Sequence, residues 1–384
     1  MGRYPNQYPA PGFYREEVFP APAAILLTSV PVFLGFAAQG PVNTPKLLTL
    51  GPQFQALFGA PLAASYLAYA VQGFFENGGS LCYVVRLDEA ELAEPALRRG
   101  LEALVALENF DLICAPDIMA PRTERLDLIQ IRALQLALLD YCDTRGTCFA
   151  ILDAWPGAET SQVLQQRRDL AGVNGALYYP EVLIPDGPAW SNGFVPACGH
   201  LAGIYARSDQ RAGVHKAPAN EILEGVLDLK ANVSNAQQSQ LNEVGINALR
   251  AFPGRGLRVW GARTLSRDPN WMYINVRRLF ITVGRWVDYY LDDLVFEPNN
   301  LRLWVRIQRE LTAYFEELLR QGALKGNTPD AAFYIKCDAE TNPPEVREAG
   351  QVVTEIGLAP AVPNEFIVVR LIHAASGVTV EGPA

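Results

Sequence analysis

The sequence predicts a mixed α/β protein with more than one domain, and three observations support this. Between residues 88 and 185, segments with helical periodicity alternate with short runs rich in valine, isoleucine and leucine. That pattern is typical of a parallel or mixed sheet covered by helices. The chain has 384 residues, more than one hydrophobic core usually supports. Apolar residues make up 49% of it and charged residues 19%, as in well-buried globular proteins.

The N-terminal residues 1–24 predict an extended arm. They contain prolines, which remove backbone donors and favour extended chain, at Pro5, Pro9, Pro11, Pro20 and Pro22. One short extended run, residues 13–19, alternates without a clean apolar face. Such a strand gains little by packing on its own domain. It gains more by adding to the edge of another sheet, where main-chain hydrogen bonds supply most of the affinity.

From residue 25 the pattern is globular. Short apolar runs bounded by glycine or proline predict buried strands, and longer periodic runs predict helices. The predicted strands are residues 29–37, 45–50, 81–87, 110–116, 148–155 and 175–185. The predicted helices are residues 51–59, 64–79, 91–107, 124–142, 160–172 and 195–209.

The C-terminal part begins with a predicted hairpin at residues 245–260, followed by amphipathic helices at 274–294 and 300–322. The polar face of the second helix is either solvated or a partner surface, and its charges include Arg302, Arg306, Arg309, Glu316 and Glu317. A strong strand at 366–372 and a possible short one at 376–382 complete the chain.

Composition excludes several classes of protein. Residues 101–244 carry 10 basic and 18 acidic side chains, which argues against nucleic-acid binding. We expect neither a transmembrane helix nor a signal peptide. The six cysteines are scattered, and four lie in apolar surroundings, so we expect reduced core cysteines and a reducing cytoplasm. The 27 arginines against 5 lysines suit protein interfaces, but a GC-rich genome explains them equally well.

The search for catalytic motifs is mostly negative. The sequence has no G-x-S-x-G, phosphate-loop or H-E-x-x-H motif, and we expect no cofactor or metal. The polar stretch from His200 to Glu221 also contains Asp209, His215 and Lys216. It could form an acid–base cluster of an enzyme, but we favour a loop held by local hydrogen bonds or buried in a subunit contact.

Several longer strings then show a family resemblance. PGFYREEV, VFLGFAAQGPVNTP, GHLAGIYARSDQRAGVHKAPAN, GINALRAFPGRGLRVWGARTLSRDPNWMYINVRRLF and IGLAPAVPNEFIVVRL are among them. Taken together, the sequence resembles phage tail sheath proteins, especially those of extracellular contractile injection systems. The resemblance covers about half of the chain, in order and from end to end. Residues 101–170 show it least.

The resemblance implies a domain plan. An inner, tube-facing domain would combine residues 25–90 with 245–372, and residues 91–244 would form a central domain facing outward. The segment 373–384 would be a tail of unassigned role. Extended arms would exchange strands between subunits. The N-terminal strand comprises Phe13, Tyr14, Arg15, Glu16, Glu17 and Val18, and the C-terminal strand comprises Phe366, Ile367, Val368, Val369, Arg370 and Leu371.

The resemblance also implies partners. We expect a helical homopolymer around an inner tube protein, with baseplate and terminator or cap proteins at its ends, and neither nucleic-acid binding nor membrane insertion. The particle would assemble in the bacterial cytoplasm. The alternatives are an α/β enzyme using the His200–Glu221 stretch and a low-copy baseplate or adaptor protein.

Overall fold

The fold is seen in a computed structural model that describes residues 26–121, 127–365, 370–374 and 377–381. Its centre is an eight-stranded sheet with the order β11-β10-β6-β5-β4-β1-β3-β2. The strands are β1 (Pro31–Gly35), β2 (Lys46–Leu48), β3 (Cys82–Arg86), β4 (Leu112–Cys114), β5 (Phe149–Asp153), β6 (Gly175–Tyr179), β10 (Ile246–Phe252) and β11 (Gly256–Trp260).

The inner six strands of this sheet are parallel to one another, and the edge strands β2 and β11 are antiparallel to their neighbours. All five residues of β1, β5 and β6 are buried. Because helices cover both faces of a parallel sheet, residues on both sides of these strands are buried, and their sequences are nearly continuous apolar runs. The predicted mixed α/β class is confirmed.

Helices cover the sheet. The pair α2 and α6 and the pair α3 and α4 each pack together, and both pairs contact the strands. The helices of this region are α1 (Gln53–Phe58), α2 (Leu67–Glu76), α3 (Ala93–Glu102), α4 (Leu128–Arg145), α5 (Thr160–Asp169), α6 (Cys198–Ala212) and α7 (Asn235–Glu243). All but α7 were predicted.

The predicted strand 175–185 is wrong in its extent. The chain leaves the main sheet after β6, and Pro180 follows immediately. Because proline has no N–H to donate, it does not continue a central ladder. The chain then enters a separate three-stranded sheet made of β7 (Val182–Leu183), β8 (Phe194–Val195) and β9 (Asp228–Leu229).

Two hydrophobic cores meet at the helix α8 (Ile274–Asp292). Its residues Ile274 and Ile281 belong to the core around the main sheet, which we call the sheet body. Its residues Leu279 and Val283 belong to a second core, shared with α9 (Leu301–Arg320) and the strands β12 (Phe333–Lys336) and β13 (Glu355–Leu358). We call this smaller part the α8–α9 unit. Both long helices were predicted, and one of them serves two cores.

The remaining C-terminal elements are short. Helices α10 (Pro329–Ala332) and α11 (Pro344–Glu348) flank β12, which pairs with β13 in a two-stranded antiparallel sheet. Strands β14 (Arg370–Ala374) and β15 (Gly377–Glu381) form a separate antiparallel hairpin. The possible strand at 376–382 is confirmed as β15, and the predicted start of the tail at residue 373 falls inside β14.

The main sheet crosses both predicted domain boundaries. Strands β1 to β3 precede residue 91, β4 to β6 lie between 91 and 244, and β10 and β11 follow residue 244. Neither boundary therefore separates two hydrophobic cores within the described residues. The change from one core to the other lies at α8 instead. Which surface faces a tube and which faces outward stays a prediction.

Close packing of α2 on α6 depends on glycine. A Cβ atom built on Gly199 would lie 2.2 Å from the carbonyl oxygen of Ala70, and one on Gly203 would lie 2.4 Å from that of Phe74. Both neighbours are backbone atoms, which cannot rotate away. The exposed helical residue Gly284 has no such neighbour within 4 Å.

We predict opposite effects for two alanine substitutions. Gly199→Ala forces α2 and α6 apart and should lower the free energy of unfolding by about 1–3 kcal/mol. Gly284→Ala adds helix propensity without a clash and should raise it by up to about 1 kcal/mol. Urea denaturation of the purified protein, followed by circular dichroism, measures both. Equal effects of the two substitutions would contradict the packing described.

Candidate assembly interface

The predicted exchange strands lie mostly outside the described residues. This holds for Phe13 to Val18 and for Phe366 to Val369, whereas Arg370 and Leu371 begin β14 and pair with β15 of the same chain. The structure does describe where the chain enters and leaves the folded body. We call residues 26–30 the N-terminal root and residues 361–365 the C-terminal root.

The N-terminal root is fixed by one carboxylate. The backbone N–H groups of Ser29 and Val30 donate to the two carboxylate oxygens of Asp111, at 2.9 and 2.7 Å. The guanidinium of Arg285 donates to the carbonyl of Leu27 at 3.2 Å. Since Asp111 directly precedes β4 and Arg285 lies on α8, the root joins the sheet to that helix.

A buried charge cluster lies beneath this root. Arg278 donates to both carboxylate oxygens of Asp209, at 3.0 and 2.7 Å, and lies 3.3 Å from Asp111. These three side chains are at most 3% exposed. Arg285 is 3.9 Å from Asp111, so two arginines face two aspartates and the cluster is neutral. Burial lowers the pKa of Arg278, but the charges of Asp209 and Asp111 outweigh it, and the pKa is raised.

The C-terminal root is fixed by a second arginine. Arg263 forms a two-point ion pair with Glu365, in which the Nε–Oε1 distance is 3.0 Å, and it donates to the carbonyl of Asn242 at 3.0 Å. The hydrogen bond with Glu365 raises the pKa of Arg263 despite partial burial. The Asn275 amide donates to the carbonyls of Ala361, at 3.2 Å, and of His215, at 2.8 Å.

Both roots therefore contact the start of α8. Asn275 holds the C-terminal root and Arg278 holds the N-terminal root, because Arg278 also donates to the Ser29 hydroxyl at 2.9 Å. Residues three apart on a helix are surface neighbours. Force applied to either root would therefore act on the same turn of α8.

The charged face of α9 is solvent-accessible, as its periodicity predicts. Of the predicted partner-surface residues, Arg302, Arg306, Arg309 and Glu316 are exposed and Glu317 is partly exposed. The opposite face is buried in the second core, through Leu303, Trp304, Ile307, Leu311, Phe315 and Leu318. The face is available to a partner, and its contact with a tube stays a prediction.

The sequence analysis missed the two-stranded sheet β12–β13. Within the described residues no strand pairs with the outer edge of either strand. Unpaired edges invite strand addition, and a sheet of two strands is marginal by itself. The sequence pattern that could have predicted these two strands is weak. The four residues of β12, FYIK, include three with high strand propensity, but none of the four is buried.

Several polar side chains of the stretch from His200 to Glu221 take part in contacts within the folded body. Asp209 binds Arg278, and Lys216 pairs with Glu221. His200 is 1% exposed, and both ring nitrogens lack hydrogen-bond partners. A Cβ atom built on Gly73 of α2 would lie 2.5 Å from the His200 ring. Burial lowers the pKa of His200 to about 4. Because His200 and Asp209 lie on α6, the expected loop is wrong for this part of the stretch, and the bond of Asp209 to Arg278 is long-range rather than local. The pair of Lys216 with Glu221 fits the expected local contacts.

All six cysteines are buried, as small apolar side chains are, and the predicted burial is confirmed. Within the described residues, no group of three or more histidine, cysteine, aspartate or glutamate side chains could hold a metal ion. In the same part of the chain, none of the helices has the length and apolar character needed to span a bilayer.

Comparison with known proteins defines the class. Two family models match consecutive segments: the phage tail sheath protein central domain over residues 91–265, and the phage tail sheath C-terminal domain over residues 266–372. The chain belongs to the phage tail sheath protein family. The resemblance seen in the sequence is therefore confirmed.

Individual relatives agree. The tail sheath protein of Escherichia phage P2 is 24% identical over 86% of this chain and 85% of its own length. A contracted helical sheath of the anti-feeding prophage is 30% identical, with a TM-score of 0.77 over 95% of this chain and 99% of that chain. The contracted PVC sheath of an extracellular contractile injection system is 28% identical, with a TM-score of 0.77 over 96% and 98%.

We predict that Arg278→Met lowers the free energy of unfolding by about 3–5 kcal/mol, because it removes the counter-charge of the buried Asp209 and leaves Asp111 facing Arg285 alone, at 3.9 Å. Arg302→Met is the matched control: its side chain is exposed and has no ion pair within the described residues, so we expect a change within about 0.5 kcal/mol. Urea denaturation measures both.

A combined variant separates charge from packing. Adding Asp209→Asn to Arg278→Met removes one buried positive and one buried negative charge and leaves Arg285 opposite Asp111, so this variant should recover part of the lost stability. If Arg278→Met were as stable as Arg302→Met, the cluster would not hold the fold together.

Proposed function

We propose that this chain is the structural subunit of a contractile sheath. Copies polymerise helically around an inner tube protein and then contract, which drives the tube through a target envelope. The subunit works by changing its contacts with neighbours, without catalysis and without a cofactor. Membership of the tail sheath family and the likeness to contracted sheaths support this proposal.

The observation that carries the proposal is the anchoring of both roots on α8. A sheath subunit must pass force between neighbours without unfolding. The contacts of Asn275 and Arg278 link both roots to the helix that joins the two cores. Because cores are close-packed and stiff, such a subunit moves as a rigid body when the lattice shortens.

Exchange of strands would make the lattice continuous. We propose that Phe13 to Val18 of one subunit add as a strand near residues 366–372 of a neighbour. The outer edges of β12 and β13, with which no strand of the described residues pairs, offer further places for strand addition in the α8–α9 unit. Main-chain hydrogen bonds supply the affinity of such contacts and keep neighbours tethered while the subunits rotate.

The remaining partners follow from this role. We propose that the charged face of α9 meets the tube, and that residues 91–244 lie toward the outside. Baseplate and terminator or cap proteins would bind the two ends of the sheath. The extended lattice would form in the bacterial cytoplasm as a metastable arrangement, and contraction would bury more contact area.

We predict that deleting residues 1–20 leaves a folded, soluble subunit that forms no long sheaths with its tube partner. The folded body should be unaffected, because the root contacts begin at Leu27 and Ser29. Negative-stain electron microscopy measures sheath length, and circular dichroism checks the fold. A second variant replaces residues 13–18 with six glycine and serine residues, which keeps the arm length but removes the strand.

Normal contractile sheaths from both variants would rule out strand exchange by the N-terminal arm. Failure of the full-length chain itself to form tubes or rings with its partner would instead count against the sheath function.

A further inference from the structure

A basic cleft of about 680 Å³ lies beside the C-terminal end of α5. Its walls include Leu164 and Met272 as apolar groups, and its unpaired guanidinium groups belong to Arg167, Arg168 and Arg267. None of these three arginines has a carboxylate within ion-pair distance among the described residues. Two further charges line the cleft: Arg263, which Glu365 already neutralises, and the exposed Glu243.

Hydrogen bonds to backbone carbonyls, and not ion pairs, position Arg167 and Arg267 in this cleft. Arg167 is 7% exposed, and its acceptors among the described residues are backbone carbonyls, including those of Val244 at 2.7 Å and Leu265 at 3.0 Å. Arg267 donates to the carbonyl of Arg168 at 3.2 Å. Burial, together with the charge of Arg267, lowers the pKa of Arg167. Like charges that are close together and partly desolvated repel one another, so a partner that brings carboxylates relieves this cost.

The corner between α8 and α9 has the complementary chemistry. Asp292 and Asp293 are exposed and have no ion pair within the described residues. After the buried Leu294, Val295 is 57% exposed and Phe296 is fully exposed. Phe296 has a φ of +72°, a conformation that is strained for a bulky residue. Since none of the described residues covers this strained aromatic ring, its exposure points to a contact outside the folded body.

We infer that the α8–α9 corner of one subunit docks in the basic cleft of a second copy. This inference rests on the proposed polymerisation and names one of its contacts. Phe296 would pack against the apolar wall formed by Leu164 and Met272, while Asp292 and Asp293 would face the unpaired arginines. Two different patches of the same chain that fit each other form a head-to-tail contact, and repetition of such a contact builds a helical filament.

Charge reversal with rescue tests this contact. In the full-length chain assembled with its tube partner, Arg267→Glu and Asp293→Arg should each lower the subunit association constant by about tenfold or more. Sheaths should then be fewer and shorter in electron micrographs. The double variant restores opposite charges across the contact and should recover sheath length. Arg98→Glu is the matched control, since it makes the same charge change at an exposed side chain far along the sequence.

Phe296→Gly separates assembly from folding. Because the side chain is fully exposed and glycine accepts a positive φ, the unfolding midpoint of the subunit should stay the same or rise. Sheath formation should fall. Wild-type sheath length in Arg267→Glu or Phe296→Gly would overturn the inference, as would a double variant no better than the single ones. Those results would leave the sheath function intact, whereas a wild-type chain that forms no sheath would remove the function itself.

Discussion

The fold depends on Arg278, a fully buried arginine between Asp111 and Asp209. Removing three charges from water is costly, and the fold tolerates it because Arg285 completes a neutral set and Ser29 accepts a further hydrogen bond. The cluster joins parts of the chain that are distant in sequence: the N-terminal root, the start of β4, the end of α6, and α8. It therefore fixes the helix on which the second core is built.

This arrangement suits a protein that transmits force. The large mixed sheet provides a stiff body, α8 links that body to the α8–α9 unit, and both chain roots attach near the beginning of α8. Two polar side chains of the stretch from His200 to Glu221 are built into this framework: Asp209 holds Arg278, and the buried His200 lies against Gly73. Two surfaces are suited to contacts with other proteins: the exposed face of α9, and the outer edges of β12 and β13, with which no described strand pairs.

Local patterns predicted most of the elements, and long-range contacts explain what they missed. The periodicity of α8 and α9 and the apolar runs of β1, β5 and β6 were sufficient to find these elements. An apolar run does not reveal its neighbours, so the sequence could not show that β1 lies between β3 and β4 in one sheet. The pairing of Arg278 with Asp111 spans 167 residues and leaves no periodic signal. The strands β12 and β13 are too short and too exposed to stand out.

Cryo-electron microscopy of the assembled sheath before and after contraction tests the central claim most directly. We predict that residues 26–121 and 127–365 superpose as one body in the two states, with Arg278 between Asp111 and Asp209 in both. All change would then lie in the contacts between subunits. Rotation of the α8–α9 unit against the sheet body, or separation of Arg278 from its two aspartates on contraction, would contradict this account.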